Sequence, residues 1–177
     1  MKWKLAENGQ WKLNVDGSYL PNCVKSGVGG ILRDNTGQFK AGFAIPVLNM
    51  ASPKQVELQA IKQGLQLLQT LQVGNTIVET DYLQATWDIA NLNHEAIANG
   101  ALIDDIKVAV DALHNVSISY GSRTGNAVAH RLAGIVYEAN TSMFWFDQVL
   151  ECILDVLNYD VIVSPRKSLS SLSEVVR

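Results

Sequence analysis

Cysteine is scarce. Cys23 and Cys152 are the two in 177 residues. They form neither a CxxC pair nor a disulfide framework, a usage that fits a reducing compartment. Long apolar runs are absent as well, and none approaches the roughly 20 residues that cross a bilayer. The opening "MKWKLAENGQ" carries no apolar stretch of the kind that begins a secretory signal. A phosphate-cradling G-x-x-x-x-G-K-S/T loop is missing, and His94 and His114 have no spacing to the cysteines that suggests zinc. There is no excess of positive charge, since 14 Lys and Arg against 17 Asp and Glu leave a net charge of −3. Nucleic-acid binders are commonly basic because phosphate neutralisation supplies much of their affinity, so any such role must rest on a local site. These absences lead to the expectation of an intracellular protein, nuclear or cytoplasmic, with no membrane association.

What is present suits one domain. A chain that is 47% hydrophobic and 18% charged can fill a single substantial core. "WKLNVDGSYL" (11–20) alternates Leu13 and Val15 with polar residues, the period of a half-buried strand. "GVGGILRD" (27–34) and "GQFKAGFAIPV" (37–47) read as two more strands, joined by a turn at Asp34-Asn35-Thr36-Gly37. From Ser52 the period lengthens to that of a helix, with Ser52 as N-cap and Pro53 in the first position. Val56, Ala60, Ile61, Leu65, Leu68 and Leu71 share one face of it, and Gly74-Asn75 ends it. "TIVETD" (76–81) is a fourth strand. Helices follow over 82–91 and about 101–114, then a strand at 116–121 and a helix over 126–139. The order is βββ-α-β-α-(α)-β-α around a mixed five-stranded sheet with helices on both faces. The domain is expected to span 10–163, after an N-terminal extension (1–9) and before a Ser-rich, disordered tail (164–177).

Three carboxylates stand out against this order. Asp16 closes the first strand, Asp81 closes the fourth, and Glu57 lies early in the first helix. Each alone has an ordinary structural explanation: a strand-ending turn, an N-cap, or a complement to the helix dipole. Strands one and four can lie side by side with their carboxyl ends together, where ligands gather in such sheets. A helix across that edge would add Glu57. Three such carboxylates repel unless hard cations lie between them, and Mg²⁺ favours oxygen ligands of this kind.

At this point the sequence resembles the ribonuclease H family over about residues 10–140. The nearest likeness is to plant ribonuclease H-like domains related to the reverse-transcriptase regions of non-LTR retroelements. "NVDGSY", "GVGGILRDNTGQF", "VELQAIKQGL", "VETDYLQA" and "RTGNAVAHRLAG" resemble its motifs in the family's order. The resemblance implies a ribonuclease H-like fold and hydrolysis of the RNA strand of RNA–DNA hybrids, by a monomer using Mg²⁺ or Mn²⁺. It assigns Asp16, Glu57, Asp81 and His130 as catalytic metal ligands, His130 standing where many members have a fourth Asp. Gly17, Ser18, Lys54, Arg123 and Asn126 are then candidates for holding substrate. Lys54, Lys62, Arg123 and Arg131 could supply a local basic rim, and Trp145 in "MFWFDQVL" is expected to pack on the core.

Several positions depart from the family pattern. Ser52-Pro53-Lys54-Gln55 stands where polar substrate-reading residues precede the helix glutamate, and Leu83 replaces a common Gln. "SYGSRTGN" offers no loop histidine, and no basic protrusion lies between Asp81 and Val116. Three readings therefore stay open: a ribonuclease with a weak grip, a catalytically impaired domain kept for binding, and a two-metal nuclease of the same fold with another substrate.

Overall fold

The computed structural model describes residues 3–91 and 99–163. β1 (Trp11–Ser18), β2 (Lys25–Arg33) and β3 (Phe39–Leu48) form an antiparallel meander. At the β2–β3 turn the Asp34 carboxylate accepts from the Thr36 and Gln38 amides at 2.9 and 3.0 Å, and Gly37 takes φ +85°, a conformation open to glycine. α1 (Pro53–Leu71) begins as its sequence indicates, with the Ser52 hydroxyl accepting from the Gln55 amide at 3.2 Å. It ends at Gln72 in the left-handed region, slightly before Gly74-Asn75. β4 (Thr76–Thr80) then runs parallel to β1. α2 (Leu83–Ala90) and α3 (Gly100–Asp111) lead to β5 (Val116–Tyr120), which is parallel to β4. A 3₁₀ turn over Arg123–Gly125 precedes α4 (Ala127–Ile135).

The sheet has six strands rather than five. β6 (Met143–Phe146) pairs with β3, giving the order β5-β4-β1-β2-β3-β6. Four residues of continuous apolar character carry no period that sequence reading can register. Trp145 turns inward onto Ile31, Val128 and Leu132, while Phe144 and Phe146 stay half exposed. One further helix, α5 (Leu154–Val163), also lay beyond the expected order. The tail 164–177 and His94 lie outside the described residues. Among the described residues no helix is long and apolar enough to cross a membrane.

Two apolar clusters sandwich the sheet. On one face α1 and α3 cover Leu13, Val15, Val28 and Phe43, and on the other α4 and α5 pack Val128, Leu132 and Leu157 around Ile31. Each fully buried Leu or Ile contributes about 1.5–3 kcal/mol. β1 is consequently covered on both faces, not one. Lys12, Asn14 and Asp16, its polar row, are all buried. α4 approaches β2 closely enough to exclude side chains there. A Cβ on Gly29 would lie 2.3 Å from the Ala133 amide nitrogen. Gly29→Ala is therefore expected to destabilise the fold by about 1–3 kcal/mol or more, read as a lower urea midpoint.

Candidate metal centre

Parallel pairing of β1 with β4 builds the site. The register aligns Asn14 with Glu79, so two residues further on Asp16 and Asp81 leave the sheet side by side. α1 crosses above them, and Gly17 permits the approach, since a Cβ there would fall 2.9 Å from the Glu57 nitrogen. The Gly17 amide donates to Glu57 Oε2 at 3.2 Å and aims that carboxylate at the strand ends. Asp16, Glu57 and Asp81 each offer an oxygen within 4.8 Å of the others. They meet, as their order along the chain suggests.

Electrostatics marks this cluster as strained. Asp16 and Glu57 are buried. Burial, reinforced by the Asp81 charge, pushes Asp16 up to about 7. Burial together with the Asp16 and Asp81 charges pushes Glu57 up to about 9. A bound cation would offset both the burial and the mutual repulsion that raise them. Three convergent carboxylates are a hard donor set suited to a divalent ion with water or phosphate oxygens on its remaining positions. The residues fit such an ion.

The other candidate residues have different fates. His130 Nδ1 lies 2.7 Å from Asp16 Oδ2, with 62% of its side chain exposed, so it touches the cluster through Asp16 alone. Arg123 reaches Asp81 at 3.6 Å from an exposed position beside the site. Asn126 does not face solvent. It is buried, and its Nδ2 donates to the Val15 carbonyl at 2.8 Å, tying the start of α4 to β1 just before Asp16. Its amide nitrogen is thus committed to the backbone of β1. Gly17 likewise commits its amide to Glu57, and the Ser18 carbonyl accepts from the Tyr137 hydroxyl at 2.9 Å. Lys54 is paired with Asp88 at 2.6 Å, Lys62 with Asp105 at 2.6 Å, and Arg131 with Asp155. The expected basic rim is thus largely neutralised by its own acidic neighbours, and Arg123 is the member that stands at the carboxylates.

The comparisons with known proteins agree with this geometry. A family profile described as reverse transcriptase-like matches residues 14–135, which includes every carboxylate of the cluster. The chain belongs to that family. Among solved structures, the RNase H1 of the halophilic archaeon Halobacterium salinarum is 17% identical, with a TM-score of 0.66 over 73% of this chain and 98% of that one. An N-terminal RNase H domain from Mycobacterium tuberculosis is 16% identical, with a TM-score of 0.65 over 73% of this chain and 94% of that one. LC11-RNase H1, solved with an RNA/DNA hybrid, is 15% identical, with a TM-score of 0.66 over 75% of this chain and 100% of that one. No sequence among the curated proteins matches. The reverse transcriptase-like chain therefore has an RNase H-like fold. A buried polar group beside its site escaped sequence reading: Trp3, Asn14, Arg33 and Asp160. Asn14 belongs to "NVDGSY", two residues before Asp16 on the same face of the strand. That period was the one available signal.

Proposed function

We propose that the chain is a divalent-metal-dependent endonuclease of ribonuclease H type that hydrolyses the RNA strand of RNA–DNA hybrids. The observation that carries this reading is the Asp16–Glu57–Asp81 cluster at the carboxyl ends of β1 and β4, within an RNase H-like fold. Asp16, Glu57 and Asp81 would hold Mg²⁺ or Mn²⁺. Divalent-ion chemistry at such a site supplies an activated water for in-line attack and steadies the departing 3′ oxygen. The Gly17 amide orients Glu57, and Asn126 fixes the strand end that carries Asp16. Arg123 stands where it can receive a phosphate of the backbone. An RNase H1 of this fold has been solved with an RNA/DNA hybrid, which supports nucleic acid as the partner. The 2′-hydroxyls are what distinguish an RNA strand from DNA at such a site.

A groove of about 770 Å³ runs from His130 and Arg123 along α4 toward α5, beside the carboxylates. The ion pairs of Lys54, Lys62 and Arg131 leave these cations less free to hold phosphate, which favours a weak grip on hybrid; the second reading is a domain that binds hybrid without turning it over. His130 separates the two. In the enzyme reading, His130→Asp adds a fourth carboxylate and raises hybrid cleavage. His130→Ala lowers cleavage about 10-fold, the scale for losing a group that orients a ligand, with hybrid affinity nearly unchanged. The assay is cleavage and binding of a 5′-labelled hybrid at fixed salt, with Mg²⁺ or Mn²⁺, against duplex RNA and single strands. Equal binding by all three proteins without cleavage would establish the binding module instead.

A further inference from the structure

The family match covers residues 14–135, and the similar RNase H1 structures cover 73–75% of this chain. Trp3 and Asp160 lie outside the matched span, near opposite ends, yet they meet at one side chain. Arg33 is fully buried, its guanidinium 3.7 Å from the centre of the Trp3 ring and its Nη1 2.8 Å from Asp160 Oδ2. Its Nη2 donates to Asn14 Oδ1 at 2.8 Å, and Trp3 Nε1 donates to the same oxygen at 2.9 Å. Two donors on Oδ1 fix which way the Asn14 amide points. Its Nδ2 therefore faces β4 and donates to Glu79 Oε2 at 3.1 Å.

This bond joins the register partners immediately preceding the metal-site pair. Asn14 is two residues before Asp16, and Glu79 is two residues before Asp81. In a strand, two residues advance the chain about 7 Å on the same face. The cross-strand link sits directly under the carboxylates and sets their lateral spacing. Trp3 also reaches the opposite wall. A Cβ on Gly125 would lie 3.3 Å from the Trp3 nitrogen and Cα, and the next residue opens α4, which carries His130 to Asp16. A fully buried arginine is a poor source of stability, because apolar residues of equal volume often serve as well. Held geometry is the better account of such an arrangement.

We propose that Trp3 and Asp160, supplied by the two ends of the chain, are positioning residues of the carboxylate site. They act through Arg33 and Asn14 on the placement of Asp16, Asp81 and His130. The proposal rests on the metal-dependent reading above, and its consequence is that the working domain begins before residue 10.

The test uses the full chain with Trp3→Ala, Trp3→Phe or Asp160→Asn, each assayed well below its melting temperature. The expected result is a fall in kcat on the order of 10-fold at nearly constant KM for the hybrid, because small misplacements at the reacting atoms are costly. Mn²⁺ binding should weaken in parallel, and Trp3→Phe, which keeps a ring over Arg33, should recover part of the loss. The ¹⁵N shift of His130 Nδ1 should also move, and this needs neither metal nor cleavage. A folded variant with a lowered melting temperature but wild-type kcat, Mn²⁺ affinity and His130 shift would overturn the proposal. If the wild type neither binds Mn²⁺ nor cleaves, the functional reading fails. The His130 resonance then decides this proposal, a moved shift supporting it and an unmoved one overturning it. If Trp3→Ala does not fold, the same measurements on Trp3→Phe and Asp160→Asn support or overturn the proposal in its place.

Discussion

Asp16→Asn should reduce hybrid cleavage on the order of 10³-fold or more, because it removes one of the three carboxylates that would hold the ion in a site working by electrostatic stabilisation. The same substitution should not harm the metal-free fold, and at high pH it should stabilise it. The sign follows from the raised acids. Asp16 and Glu57 start from ordinary values of 3.8 and 4.5 and are held near 7 and 9 in the folded chain. An acid raised on folding contributes stability that is fully present below its unfolded value. That stability is lost as pH rises through the folded value. The metal-free protein should therefore melt at progressively lower temperature from about pH 5 to pH 9. Asp16→Asn should flatten the first part of that fall. Thermal melts in a chelator, compared with the wild type at each pH, measure it. An Asp16→Asn chain that unfolds outright without metal would make Asp16 a structural hydrogen-bonding residue instead.

The second large effect concerns stability. Asp160→Ala should cost about 3–5 kcal/mol, the scale for leaving one member of a buried ion pair alone. Burial lowers Arg33 to about 10, still above neutral pH, so the guanidinium keeps its charge and needs a balancing carboxylate. Asp160 is buried beside it, raised in turn by its own burial. Replacing both residues together, Arg33→Met with Asp160→Leu, should recover most of the loss, since apolar substitutes of similar volume often serve in a buried pair's place. Urea unfolding of the two variants distinguishes the cases. A loss under about 1 kcal/mol for Asp160→Ala would mean that α5 contributes little to the buried charge.

The site was legible because its logic is local. Asp16 interrupts an apolar strand, Ser52-Pro53 starts the helix that carries Glu57, and Asp81 follows directly on a short apolar strand. The fold's parallel β1–β4 pairing then needs only adjacency to bring them together. What sequence could not show depends on partners far along the chain. The polar row of β1 reads as a solvent face, yet Lys12, Asn14 and Asp16 are buried, and Asn14 is held by Trp3 and by Arg33, itself paired with Asp160. Asn126 is a candidate for holding substrate through the resemblance of "RTGNAVAHRLAG" to the family's closing motif. Its burial against Val15 is decided by how closely α4 approaches β1. The lysines of the basic rim read as free cations because their acidic partners, Asp88 and Asp105, come from other helices. β6 is too short for any period to declare it.

The most direct test of the carboxylate cluster as a metal centre is a calorimetric titration of Mn²⁺ into the metal-free protein and its Asp16→Asn variant, at pH values on either side of 7 and 9. The expected result is saturable binding by the wild type that tightens with pH, with proton release as Asp16 and Glu57 give up their protons, and binding by Asp16→Asn that is at least about 10-fold weaker. Equal affinity in both proteins, or affinity independent of pH with no proton released, would contradict a metal held by Asp16, Glu57 and Asp81.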